Sequence, residues 1–158
     1  PAFVGVVAMS MLIAPLGAVL ATANAASGMT VGTHGSTYGG NPLGCAVGAR
    51  VVEIIADDAF LAEVNRKAAL FRQKLEGLVA AHPDVFESVR GQGLMLGLRC
   101  RIAPAEVVSA GYAEHILTVP AADNVLRLLP PLTITDSEIA EAVRRLDATA
   151  ARLSAKAA

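Results

Sequence analysis

The most constraining feature of this sequence is the absence of formal charge from residues 1–49, which contain no Asp, Glu, Lys or Arg. Within this segment, residues 2–23 are almost wholly apolar, and the stretch is long enough to span a bilayer. No Lys or Arg precedes it, and Gly5, Pro15 and Gly17 interrupt it, which disfavours a membrane helix or a secretory signal. The pattern favours two buried strands instead, at residues 3–7 and 16–21.

The composition of the whole chain predicts a folded core, since 54% of its 158 residues are hydrophobic and 17% are charged. A net charge of -1 and an aromatic content of 4% offer neither the basic surface nor the stacking side chains that nucleic-acid binding uses. Cys45 and Cys100 match no disulfide framework or zinc motif, so we expect both to be buried, reduced thiols. The three histidines are scattered, and no metal site is predicted.

Helical and strand patterns alternate beyond residue 57. Apolar residues at three- and four-residue spacing predict a helix that begins at residue 57 or 58 and ends before Pro83. Residues 135–138, TDSE, form a capping box at the start of a last helix. We expect further helices at 43–56 and 104–114, and short strands at 85–89, 94–100, 116–119 and 125–129. This order predicts an α/β sandwich in which a small sheet packs against helices.

The strongest chemical motif is the loop at residues 32–42, with the sequence GTHGSTYGGNP. Its glycines let backbone N–H groups approach a ligand, and its Ser and Thr hydroxyls can donate hydrogen bonds to phosphate oxygens. A helix start at Pro42 adds a favourable dipole for an anion. From the residues alone, an anion site and an ordinary connecting loop are equally good interpretations.

This loop closely resembles that of class-III aminotransferases, and its full form matches their acetylornithine and succinylornithine branch. The resemblance implies a fold-type-I homodimer that uses pyridoxal 5'-phosphate. The chain would be a C-terminal fragment of that fold, with a remnant of the large cofactor domain at residues 1–42. A linker helix and the small α/β domain would follow at residues 43–158. Thr37, with Ser36 near it, would bind the phosphate of the cofactor held by the partner subunit.

A second segment, residues 123–132 with the sequence DNVLRLLPPL, contains an arginine inside an apolar strand. A buried guanidinium requires an anionic partner, and its planar fork suits a carboxylate. The resemblance implies that Arg127 binds the substrate α-carboxylate, whereas a salt bridge with Asp123 or another acid is the alternative. Residues 90–97, RGQGLMLG, are similar to the small-domain hairpin of the family. For Arg90 we expect structural support, with substrate contact as the alternative.

The sequence departs from the family at the residue that captures the cofactor. Transamination uses a lysine whose amine forms a Schiff base with pyridoxal phosphate, and in the family a glycine-rich run follows that lysine. Counting back from Pro15 puts Ala8 at the lysine position, and MSMLIA replaces the glycine-rich run at residues 9–14. All lysines of the chain lie in predicted helices remote from this segment: Lys67, Lys74 and Lys156. Covalent binding of the cofactor is therefore not expected.

The resemblance implies a cytoplasmic member of the acetylornithine branch, which passes an amino group from N-acetylornithine to 2-oxoglutarate in arginine biosynthesis. We expect this chain alone to be inactive, as a fragment whose first segment is altered by truncation, sequence error or design. One alternative is a non-enzymatic α/β module that associates with partners or with itself. The other is a membrane-anchored protein that uses residues 2–23. No residue is assigned as catalytic or as a metal ligand.

Overall fold

The computed structural model describes residues 5–9, 16–33 and 35–157. The chain divides into two compact units, Pro1–Asp57 and Asp58–Ala158. The sequence predicted a boundary at residue 42, whereas the structure has it at residue 57. The helix between these two positions therefore belongs to the first unit.

The first unit contains two strands and two helices. Strands β1 (Gly5–Met9) and β2 (Leu16–Leu20) pair antiparallel, close to the two strands expected in the apolar segment. A short helix α1 (Ala23–Ala26) follows, and the sequence pattern did not predict it. Helix α2 (Pro42–Ile55) begins at the predicted proline. In the described part of the chain, no helix is both long and apolar enough to cross a membrane.

The second unit is the predicted α/β sandwich, a four-stranded sheet covered by helices. Its strands lie in the order β3-β4-β6-β5, and every neighbouring pair is antiparallel. The elements follow one another as α3 (Asp58–Ala81), β3 (Phe86–Gln92), β4 (Met95–Cys100), α4 (Pro104–Ala113), β5 (Val119–Ala121), β6 (Val125–Leu128) and α5 (Asp136–Ala157).

One apolar core joins the sheet to its three helices. Leu96, Leu98 and Cys100 of β4 and Leu126 and Leu128 of β6 are buried at alternate positions, which gives the sheet one core face; Gly97, between two of them, is buried as well. The helices contribute side chains to the same cluster, so they cover this one face. Among the described residues, those with no more than 1% of their surface exposed are Leu75, Phe86, Leu98, Val107, Leu126, Ile139, Leu146, Thr149 and Ala150.

The hairpin between β3 and β4 depends on a glycine. Gly91 has a φ of 106°, and a Cβ at this position would lie 2.1 Å from the carbonyl oxygen of Met95. No L-amino acid with a side chain fits there without moving the backbone of β4. Arg72 of α3 donates a hydrogen bond to the Gly91 carbonyl oxygen at 2.5 Å, which attaches the hairpin to the helix.

Two expectations from the sequence are wrong, one in each unit. The strand expected at residues 116–119 begins only at Val119, because His115 adopts a left-handed conformation with a φ of 56°. The N–H of Ile116 then bonds the carbonyl of Gly111, so these residues terminate α4 rather than pair in the sheet. Cys45 is exposed, whereas Cys100 is buried as expected. Burial raises the pKa of the Cys100 thiol to about 11.

The N-terminus of α5 is fixed by the predicted capping box and by an ion pair with α3. The Glu138 N–H donates to the Thr135 hydroxyl at 3.2 Å, and the Glu138 carboxylate accepts from the Thr135 N–H at 2.7 Å. Arg66 of α3 donates to both carboxylate oxygens of Asp136, at 2.7 and 3.1 Å. The Arg66 hydrogen bonds hold the pKa of the Asp136 carboxyl below its ordinary value.

We expect Thr135→Ala to lower the free energy of unfolding of the second unit by about 1 kcal/mol, since an N-cap hydroxyl is lost. Urea denaturation followed by circular dichroism measures this change. Thr133→Ala is the matched control, because Thr133 is exposed and forms no hydrogen bond in the part of the chain described. Equal destabilisation by both substitutions would contradict the capping role.

The pH dependence of stability provides a second prediction, at Glu141 of α5. Hydrogen bonds from Arg144 and, to a smaller extent, from Arg145 lower the pKa of the Glu141 carboxyl from its ordinary value of 4.5 to about 2. A carboxyl whose pKa is lowered in the folded state stabilises that state above its ordinary pKa, and this contribution is lost as the pH falls. We therefore expect Glu141→Gln to flatten the loss of stability between pH 4.5 and about 2.

Urea denaturation at several pH values across that range measures the effect. Glu106→Gln serves as the control, because the Glu106 carboxylate has no ion pair among the residues described. A pH profile of Glu141→Gln that matches the unsubstituted chain would contradict the prediction.

Candidate functional site

Arg127 lies on the face of the sheet opposite the helices. It is the third residue of β6, and the leucines on either side of it, Leu126 and Leu128, belong to the core. Because successive side chains of a strand point to opposite faces, the guanidinium of Arg127 projects away from the core and is exposed. We call this surface of the sheet the open face.

The open face carries a second arginine, Arg90, in the same row of paired residues across the strands. Gly97 of β4 pairs with Arg127 on one side and with Arg90 of β3 on the other. Val119 of β5 completes the row beside Arg127. Neighbouring strands are about 4.8 Å apart, so the Cα atoms of the two arginines are separated by roughly 10 Å, with a glycine between them.

Asn124 anchors the strand that carries Arg127. Its side-chain amide donates to the carbonyl oxygens of Cys100 at 2.5 Å and Ile102 at 3.0 Å, and its own carbonyl accepts from the Cys100 N–H at 2.8 Å. The residue has a φ of 60°, a conformation that asparagine tolerates better than most side chains. Sequence reasoning assigned no role to Asn124, although its position in a turn before an apolar strand was a signal.

The expectation that Arg127 is a buried guanidinium is wrong, because the apolar residues around it in sequence face the core while it does not. It forms no ion pair with Asp123, nor with any other acid in the part of the chain that the structure describes. By contrast, Arg99 on the same face is paired with Glu87 at 3.2 Å. Arg127 thus presents an unpaired planar fork to solvent, which suits a carboxylate ligand.

Ser36 and Thr37 lie in an exposed turn of the first unit, ahead of α2. The Asn41 side chain accepts from the Gly44 N–H at 2.6 Å and donates to the Tyr38 carbonyl at 2.9 Å, which ties the turn to the helix start. Within the described residues, neither the Ser36 nor the Thr37 hydroxyl forms a hydrogen bond. Both are free to donate to an anion. His34, another residue of this motif, lies outside the described residues.

The residues present fit the phosphate of pyridoxal phosphate but do not fit covalent capture of its aldehyde. Hydroxyl donors beside a helix N-terminus suit a phosphate group. Ala8 lies in β1 opposite Gly17 and carries no amine. Lys67 and Lys74 belong to α3, where the Lys67 ammonium lies 3.8 Å from the Glu63 carboxylate. Lys156 belongs to the last turns of α5.

Comparisons with known proteins agree on one family. The family model described as aminotransferase class-III matches residues 8–149. Acetylornithine aminotransferase of Rhodobacter capsulatus is 69% identical over 144 residues, which are 91% of this chain and 37% of that protein.

Two solved structures are similar as well. The N-acetylornithine aminotransferase from Stenotrophomonas maltophilia has a TM-score of 0.75 and 32% identity over 90% of this chain and 37% of that one. The ornithine aminotransferase from Toxoplasma gondii, in which PLP partially occupies the active site, has a TM-score of 0.77 and 32% identity. That match covers 90% of this chain and 34% of that one.

The chain therefore spans little more than a third of the relatives it matches. These matches confirm both the expected resemblance and the expected fold, a part of the pyridoxal-phosphate-dependent aminotransferase architecture. The family model covers most of the chain, including the loop at residues 32–42 and the strand around Arg127. This chain therefore belongs to the class-III aminotransferase family.

Proposed function

We propose that this chain carries substrate-carboxylate and cofactor-phosphate binding residues of an acetylornithine aminotransferase. The observation that carries the proposal is Arg127, an unpaired guanidinium on the open face, in a chain 69% identical to a protein of that name. Its fork binds the α-carboxylate of an amino acid or a 2-oxo acid. Ser36 and Thr37 donate hydrogen bonds to the phosphate of pyridoxal phosphate.

The reaction of the whole protein is the transfer of an amino group from N-acetylornithine to 2-oxoglutarate, a step of arginine biosynthesis in the cytoplasm. Both comparisons include relatives that are named acetylornithine aminotransferases, which supports this reaction over others in the family. The chain itself lacks the amine that has to capture the aldehyde of the cofactor, because the position of the family's lysine is occupied by Ala8. We infer that this chain alone does not transaminate.

Treatment with pyridoxal phosphate and borohydride tests that inference, since reduction makes any Schiff base permanent. Peptide mapping should find only slow, scattered labelling of the three lysines, with no absorbance band that saturates at one cofactor per chain. Addition of N-acetylornithine and 2-oxoglutarate should yield no glutamate. Stoichiometric labelling of a single lysine together with turnover would contradict the inference. Poly-lysine at the same amine concentration provides the reference for non-specific labelling.

Self-association is the second part of the proposal, because the family resemblance implies a homodimer. The first unit exposes large apolar side chains that a folded protein normally covers: Leu20, Met29, Val31, Tyr38 and Leu43. Covering them with the same surface of a second copy would remove this apolar area from water, which favours association.

We expect sedimentation equilibrium over an about hundredfold range of concentration to give a monomer–dimer equilibrium. Substitution of Leu43 by Ser should shift that equilibrium towards the monomer. The matched control is Leu117→Ser, which removes a leucine of comparable exposure from the second unit. A monomer at every concentration, or the same shift for both variants, would contradict the proposed dimer surface.

A further inference from the structure

Met95 places a thioether on the open face beside Arg127. It is the first residue of β4, and Gly97, two residues further on, pairs with Arg127. Because side chains two residues apart in a strand share a face, Met95 lies on the open face as the diagonal neighbour of Arg127. Diagonal neighbours have Cα atoms about 7–8 Å apart, a distance that two long side chains bridge. Met95 exposes 64% of its surface, so solutes in water reach it.

The other side chains around Arg127 on this face offer it no hydrogen-bond acceptor. Val119 of β5 pairs with it on one side, and Val125 precedes it by two residues on β6. Val125 covers Gly97, since a Cβ added to this glycine would lie 2.5 Å from the Val125 Cγ1 atom. Val125 pairs with Arg99, so it lies on the opposite side of Arg127 from Met95. Met95 is therefore the neighbour whose hydrogen-bonding capacity a chemical modification can change.

Oxidation converts the Met95 sulfur from a weak acceptor into a strong one. A thioether accepts hydrogen bonds poorly, whereas a sulfoxide is polar and its oxygen accepts them well. Hydrogen peroxide transfers one oxygen atom to the sulfur lone pair, the O–O bond breaks, and water leaves. The sulfur is oxidised by two electrons and the peroxide is reduced by two. The Arg127 guanidinium then has an acceptor within its own chain, and a charge-assisted hydrogen bond forms.

We propose that Met95 is a reversible oxidation site, and that its sulfoxide binds Arg127 and thereby weakens carboxylate binding by that arginine. This inference rests on the proposed function, which gives Arg127 a carboxylate ligand. The sulfoxide oxygen and the carboxylate compete for the same N–H donors. Thiol-dependent methionine sulfoxide reductases restore the thioether: the oxygen leaves as water while two thiols form a disulfide.

Met29 provides a comparison within the same chain. It exposes 62% of its surface, nearly the same fraction as Met95, but belongs to the first unit, outside the sheet that carries Arg127. Peroxide should oxidise both methionines, because exposure governs their susceptibility. We expect only the oxidation of Met95 to affect Arg127.

The test is oxidation of the 158-residue chain with hydrogen peroxide, followed by titration with acetate. Peptide mass mapping measures the sulfoxide at each methionine, and nitrogen-15 NMR of the Arg127 Nε–H group, assigned with Arg127→Gln, reports its hydrogen bonding. We expect oxidation to shift this signal before acetate is added. Oxidation should also weaken acetate binding about threefold, a modest factor because exposed charged contacts contribute little in water. Treatment with a methionine sulfoxide reductase should reverse both effects.

Substitution of each exposed methionine separates their contributions. Met95→Leu should bind acetate as the unsubstituted chain does and should lose both responses to peroxide. The matched control is Met29→Leu, which should keep both responses. Leucine leaves either position apolar, and backbone NMR spectra verify that each variant is folded.

The outcomes distinguish this inference from the proposed function. If Met95 is oxidised and the Arg127 signal does not move, the inference is overturned, while acetate binding to the unoxidised chain still supports the role of Arg127. If Met95→Leu responds to peroxide as strongly as the unsubstituted chain, the effect arises at another residue and the inference is again overturned. If acetate does not shift the Arg127 signal before oxidation, the carboxylate role of Arg127 itself is refuted.

Discussion

The alternation of buried leucines in two neighbouring strands is the constraint on which the rest of the second unit depends. Leu96 and Leu98 of β4 face the helices with Leu126 and Leu128 of β6, and all four are buried. A slip of one residue in either strand would turn its leucines to water and its polar side chain to the core. Burial of an unpaired guanidinium is strongly unfavourable, so the position of Arg127 is fixed by its neighbours. The open face is thus a consequence of how the core is packed.

The features that sequence reasoning predicted well are those that local pattern determines. The apolar stripe of α3, the capping box of α5 and the glycine of the β3–β4 hairpin each depend on residues close together in the chain. The helices and most strands accordingly lie within a few residues of their predicted bounds. The expectation for β5 was wrong because a left-handed His115 extends the end of α4; histidine adopts this conformation more often than most residues, but still too rarely for the sequence alone to predict it.

The candidate site was predicted less completely, because it depends on contacts between distant residues. Arg127 was identified from the sequence, but its surroundings were misjudged. A run such as Val-Leu-Arg-Leu-Leu is apolar overall, and only the pairing of β6 with β4 decides which side chains are buried. The row formed by Arg90, Gly97 and Arg127 joins three separate strands, so no local pattern reveals it. The same holds for Asn124, whose hydrogen bonds reach the end of β4.

In this chain, the residues suited to anion binding are different from the residue on which Schiff-base formation depends, and the difference has a physical basis. Carboxylate and phosphate recognition need only positioned donors, a role that the proposed function assigns to Arg127 and to the hydroxyls of Ser36 and Thr37. Schiff-base formation needs one amine at one place, and no neighbouring group replaces it when the residue is alanine. The arginines of the open face are held by the leucine core and by Asn124, none of which involves β1. The absence of an amine at residue 8 therefore leaves the proposed anion-binding surface of the second unit unaffected, because the two depend on different residues and different interactions.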